Sequence, residues 1–134
     1  MVDFDAHTIR IALHLLGVTV WVGGQLVLAA LVPVLRSIGP DAPRLAANRF
    51  ALVAWPFFAL AVITGVWNLL EINVGDQSTD YHMVLGIKLA VVALSGIAAF
   101  LHSQTSSTVV RAVTGAGGLV TALAALVLGV MLAI

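Results

Sequence analysis

Lys88 stands inside an apolar run, residues 83–101 (MVLGIKLAVVALSGIAAFL), and is the only charge within four long hydrophobic stretches. An ionisable group in hydrocarbon costs about 2.5 to 3.5 kcal/mol at the bilayer centre and less off centre, so its first reading is functional. His14, in the first stretch, is its natural companion. A neutral imidazole can ligate a metal or haem iron. An ammonium can pair with an anionic group, polarise a substrate or, once deprotonated by burial, ligate iron itself. Each has a structural reading as well: Lys88 lies within snorkelling reach of the headgroups, and His14 can hydrogen-bond between helices.

The elements that must position these two residues are set by composition. The chain has 134 residues, 61% hydrophobic and only 9% charged, with a mean hydropathy of +1.12. That leaves too little polar surface for a water-soluble domain. The expectation is one integral membrane domain over residues 1–134, an all-α antiparallel bundle of four transmembrane helices at about 9–35, 47–71, 82–103 and 109–134. The acidic start MVDFDAH lacks the basic region of a signal peptide, so the first span is expected to be retained. Net charge is zero and there is no basic block, which removes the electrostatic case for nucleic acid. Cysteine is absent, which excludes disulfides, thiolate metal sites and covalently attached c-type haem.

Charge also sets orientation. The first connector holds Arg36, Arg44 and Arg49 against Asp41 alone, and the third carries Arg111, whereas the second holds Glu71, Asp76 and Asp80 with no Lys or Arg. The positive-inside rule then places both termini outside, and the expected location is the inner membrane of a bacterium. Asp41 before Pro43 reads as an N-cap. Pro33 and Pro56 mark bends toward the inner ends of the first two spans, and the outer halves are expected to be straight helix. In the fourth span Gly118, Ala122, Ala125, Gly129 and Ala133 form a small-residue face for close packing, within the bundle, in a homo-oligomer or in a larger membrane complex.

In this orientation His14 and Lys88 share a leaflet, each roughly 6 to 12 Å below the outer boundary at 1.5 Å per residue. His7, His14 and Trp21 recur every seven residues, with Gly17, Gly24 and Gln25 beside them, and Tyr81, Lys88, Ser95 and His102 form a second such stripe. Thr64, Trp67, Asn68 and Glu71 bring a third polar set to the same half. Gly17 and Gly24 remove bulk beside His14, room that suits a flat apolar cofactor such as haem b, with Trp21 as wall or packing. Trp55, Trp67 and Tyr81 read as packing or interfacial residues, His7, His82 and His102 as solvated, and Glu71 as the end of a helix in water. A separate outer group, His7, His82 and Met83 with Met1 and Met131, offers copper ligands.

The pieces ALHLLGVTVWVGG, VITGVWNLL and YHMVLGIKLAVVALSGIAAFLH resemble the copper resistance D (CopD) family and the HemJ-type protoporphyrinogen oxidases, over about two-thirds of the chain. The resemblance implies a four-helix membrane domain in which a helix-one histidine and a helix-three lysine, here His14 and Lys88, serve a haem site. The expected function is therefore haem b binding, with His14 as axial ligand and Lys88, Gly17, Trp21, Thr64 and Trp67 around it, in electron transfer or oxidation of a hydrophobic substrate. A copper-handling transporter using His7, His82 and Met83 is the second expectation, and an accessory subunit of a membrane complex, docked through the fourth helix, the third. No nucleotide loop, nucleophile with a base or two-carboxylate site is present, so hydrolytic and phosphoryl-transfer chemistry is not expected.

Overall fold

A computed structural model describes residues 2–134, and Met1 lies outside the described residues. The fold is all-α. Four stretches are long and apolar enough to cross a membrane: Ala6–Ile38, Ala42–Glu71, Thr79–Gln104 and Thr108–Ala133. The first is built from α1 (Ala6–Val18), a π-helical turn (Thr19–Gly23) and α2 (Gly24–Ile38). The others are α3 (Ala42–Glu71), α4 (Thr79–Gln104) and α5 (Thr108–Ala133), with a short 3₁₀ turn at Val74–Asp76 before α4. Each of the four spans begins one to five residues earlier than expected, and polar side chains cap three of the four starts.

Those caps are visible in the side chains. Asp5 Oδ1 accepts from the Thr8 amide at 2.8 Å, Ser78 Oγ from the Tyr81 amide at 3.1 Å and Ser107 Oγ from the Val110 amide at 3.3 Å. Each satisfies one of the donors that a helix start leaves open. Asp41 is the N-cap residue of α3, as Pro43 indicates, but its side chain makes no capping bond. It pairs instead with Arg44 at 3.3 Å.

The chain divides into two compact units, residues 2–73 and 74–134. In the first, α1 and α2 pack against α3, with α1 antiparallel to it. In the second, α4 and α5 form a tight antiparallel hairpin across the connector 105–107. Burial is inverted relative to a water-soluble protein. The most deeply buried sizeable side chains are the polar Thr64 and Ser95, while Leu70, Leu52, Val113 and Ile63 are among many large apolar residues left open on the outside. Lipid can solvate the outer Leu, Val and Ile, and small or hydrogen-bonded residues are what bring the helices together.

One feature of the first unit differs from expectation. α3 is helical through Pro56, and α2 through Pro33. The N-terminal half of the first span, expected to be straight helix, holds the π turn Thr19–Gly23. Two kinds of contact accompany it. The Thr19 hydroxyl donates to the Leu15 carbonyl at 2.7 Å, competing for a helix acceptor. The widened turn also seats the Trp21 indole, 6% exposed, between Trp55 and Phe58, with ring centroids 5.1 and 4.4 Å away. Gln25 Nε2 donates back to the Trp21 carbonyl at 2.9 Å, supplying a side-chain partner beside the wide turn.

Candidate functional site

His14 is half-buried on α1 and faces α3. Its Nδ1 lies 2.9 Å from the Ala61 carbonyl oxygen and 3.0 Å from Thr64 Oγ1. A carbonyl oxygen only accepts, so Nδ1 carries the proton. The buried Thr64 hydroxyl donates to the Leu60 carbonyl at 2.6 Å, which leaves its lone pairs for the same N–H. A neutral imidazole held this way has its lone pair on Nε2. The ring fits against α3 because residue 65 is glycine: a Cβ there would lie 3.3 Å from His14 Cε1. An imidazole oriented through one nitrogen by a backbone carbonyl is the supporting arrangement that metal-ligating histidines share.

The residues expected beside His14 divide. Thr64 touches it directly. Gly17, however, serves helix contact: a Cβ at that position would sit 2.7 Å from the Phe57 carbonyl oxygen and 2.8 Å from the Ala61 nitrogen. Gly24 is likewise covered by the Phe50 ring. The space those glycines create is thus taken up by α3, and Trp21 belongs to the Trp55–Phe58 aromatic group. The helix-one stripe therefore faces α3.

Trp67 belongs to a polar cluster centred on Arg10. Arg10, near the start of the first span, is only 7% exposed. Its Nε donates to Asn68 Oδ1 at 2.6 Å and one terminal nitrogen to His7 Nδ1 at 2.8 Å. The other lies 3.9 Å from the Glu71 carboxylate. Trp67 stacks under the guanidinium at 5.7 Å and donates to Glu71 Oε1 at 3.2 Å. Glu71 ends its helix, half exposed as expected, yet it is tied into this cluster. A signal existed: His-x-x-Arg near the start of one span and Asn-x-x-Glu at the end of the next lie at matching levels of antiparallel helices.

In the second unit the stripe Tyr81, Lys88, Ser95 and His102 faces α5. Ser95 Oγ donates to the Gly118 carbonyl at 3.3 Å. His102 Nδ1 donates to the Arg111 carbonyl at 2.8 Å and packs on Gly115, where a Cβ would lie 3.0 Å from the ring. Lys88 Nζ would be 3.2 Å from a Cβ at Gly129. The small-residue face of α5 thus receives the polar side chains of α4, within one hairpin.

For the copper ligand set, protonation is informative. Arg10 can only donate, so His7 Nδ1 spends its lone pair on it. His82 Nε2 donates to the Val74 carbonyl at 2.6 Å, leaving Nδ1 as its lone-pair nitrogen. Met83 is exposed beside it. Among the described residues no group of three or more His, Asp or Glu side chains gathers as a metal site.

Compared with family models, curated proteins and solved structures, the chain matches none, so the family resemblance rests on the three motif segments themselves.

Proposed function

We propose that this integral membrane protein binds haem b through His14, and that the bound haem serves electron transfer or oxidation of a hydrophobic substrate. The observation that carries the reading is the bond from His14 Nδ1–H to the Ala61 carbonyl, which assigns the lone pair to Nε2, the atom an axial ligand needs. Haem, when bound, supplies a one-electron redox centre. Of the protein groups, Thr64 and Ala61 orient the imidazole, and Gly65 gives it room. Purified protein is expected to show a haem b absorption spectrum that shifts on reduction and is lost in His14→Ala. A Soret band of undiminished intensity in that variant would refute the assignment.

A further inference from the structure

The outer end of the α4–α5 hairpin holds a groove of about 210 Å³ lined by Ser78, Asp80, Tyr81, Val84, Met131 and Leu132. Lys88 is not in its lining, and its ammonium packs at Gly129, three residues before Leu132 of the lining. Ser95 lies across from Gly118 in antiparallel helices, so Gly129, eleven residues beyond Gly118, lies across from Val84, eleven before Ser95. Nζ packs at Gly129 and has therefore climbed about one turn from its own Cα, as side chains do that tilt toward a helix N-terminus. Within its hairpin, among the described residues, this ammonium has neither hydrogen bond nor ion pair. A cation at this depth calls for an anionic partner.

The groove thus carries a graded pattern along the membrane normal. Val84, Met131 and Leu132 form its apolar walls, the Asp80 carboxylate stands with Ser78 at the exposed lip, and the Lys88 ammonium lies outside the lining at about the level of Val84. We propose that it is a binding site for a phospholipid whose headgroup bears a phosphate and, two carbons farther out, a primary ammonium: an ethanolamine phospholipid. The phosphate lies nearer the acyl chains and meets Lys88. The ammonium lies farther out and meets Asp80, with acyl chains against the apolar wall. A purely anionic headgroup would satisfy Lys88 but set its charge beside Asp80, and a choline headgroup has no N–H to donate.

The test uses the full chain, delipidated in detergent, with phosphatidylethanolamine, phosphatidylglycerol and phosphatidylcholine of identical chains added separately and retention read by native mass spectrometry. The ethanolamine lipid is expected to be retained best. Lys88→Gln should weaken its retention about tenfold, the scale of one charge-assisted hydrogen bond. Asp80→Asn should erase the preference for the ethanolamine over the glycerol lipid, and Leu132→Trp, which fills the groove, should weaken all three. His14→Ala, which removes the proposed haem ligand, should keep the preference, so the two assignments fail separately. Equal retention of the three lipids, or a preference unchanged in both Lys88→Gln and Asp80→Asn, would overturn the site.

Discussion

At the scale of single residues, the side chains that matter most are those whose hydrogen-bonding capacity is committed. Arg10 spends its guanidinium on Asn68, His7 and Glu71 while nearly excluded from solvent. Arg10→Ala is expected to lower stability in detergent by about 2 kcal/mol, since it strands the Asn68 carbonyl and removes charge-assisted bonds. In a double-mutant cycle with Asn68→Ala the two losses should fall short of additive, and strict additivity would show that the pair is not coupled. Asp5, outside the spans, has its carboxyl held below the usual carboxylate range, chiefly by the Thr8 amide and then by the Thr8 hydroxyl. Because its folded pKa is depressed, its contribution is complete above the ordinary carboxylate pKa and fades as pH falls through the lower folded value. Hydrogen exchange at the Thr8 amide should accordingly lose protection on acidification in the wild type beyond the intrinsic pH trend, and Asp5→Ala should abolish that extra loss. His14 and Lys88 were legible in the sequence because charge and imidazole stand out in an apolar run. Arg10 was not, since a lone Arg at a span boundary has the same local signature whether it is solvated or buried against another helix.

At the scale of elements, glycine is the currency of contact, but its use depends on what the neighbouring helix presents. Gly17 admits the backbone of α3, whereas Gly65, Gly115 and Gly129 admit the side chains of His14, His102 and Lys88. Gly17→Ala forces two backbones apart and should cost about 1 to 3 kcal/mol. Gly86→Ala, on an open face of α4 with nothing within 4 Å of the added carbon, should be neutral or stabilising by up to about 1 kcal/mol. Comparable losses in melting temperature for the two would contradict the assignment of Gly17 to the α1–α3 contact. Helix number and approximate bounds followed from apolar length and from charge at the connectors. The π turn did not, because it arises from the fit of the Trp21 indole between Trp55 and Phe58, which only the packed α3 defines.

At the scale of the whole molecule, the distribution of polarity is that of a protein solvated by hydrocarbon, with large aliphatic residues outward and Thr64, Ser95 and small residues at the helix contacts. The charge asymmetry of the connectors predicts that both ends face away from the cytoplasm. A reporter fused after Ile134 should therefore read extracytoplasmic, and a cytoplasmic reading would invert the orientation. Class was legible because composition determines it, and span count because charged connectors bound the apolar runs, whereas function depends on what one imidazole nitrogen binds. The most direct measurement is chemical rescue at that position: His14→Gly protein, purified and supplied with haem, titrated with free imidazole and followed at the Soret band. The account predicts little or no bound haem without imidazole and recovery of a wild-type-like spectrum as imidazole occupies the space of the missing ring. Full haem binding before imidazole is added, with a spectrum indistinguishable from the wild type, would contradict it.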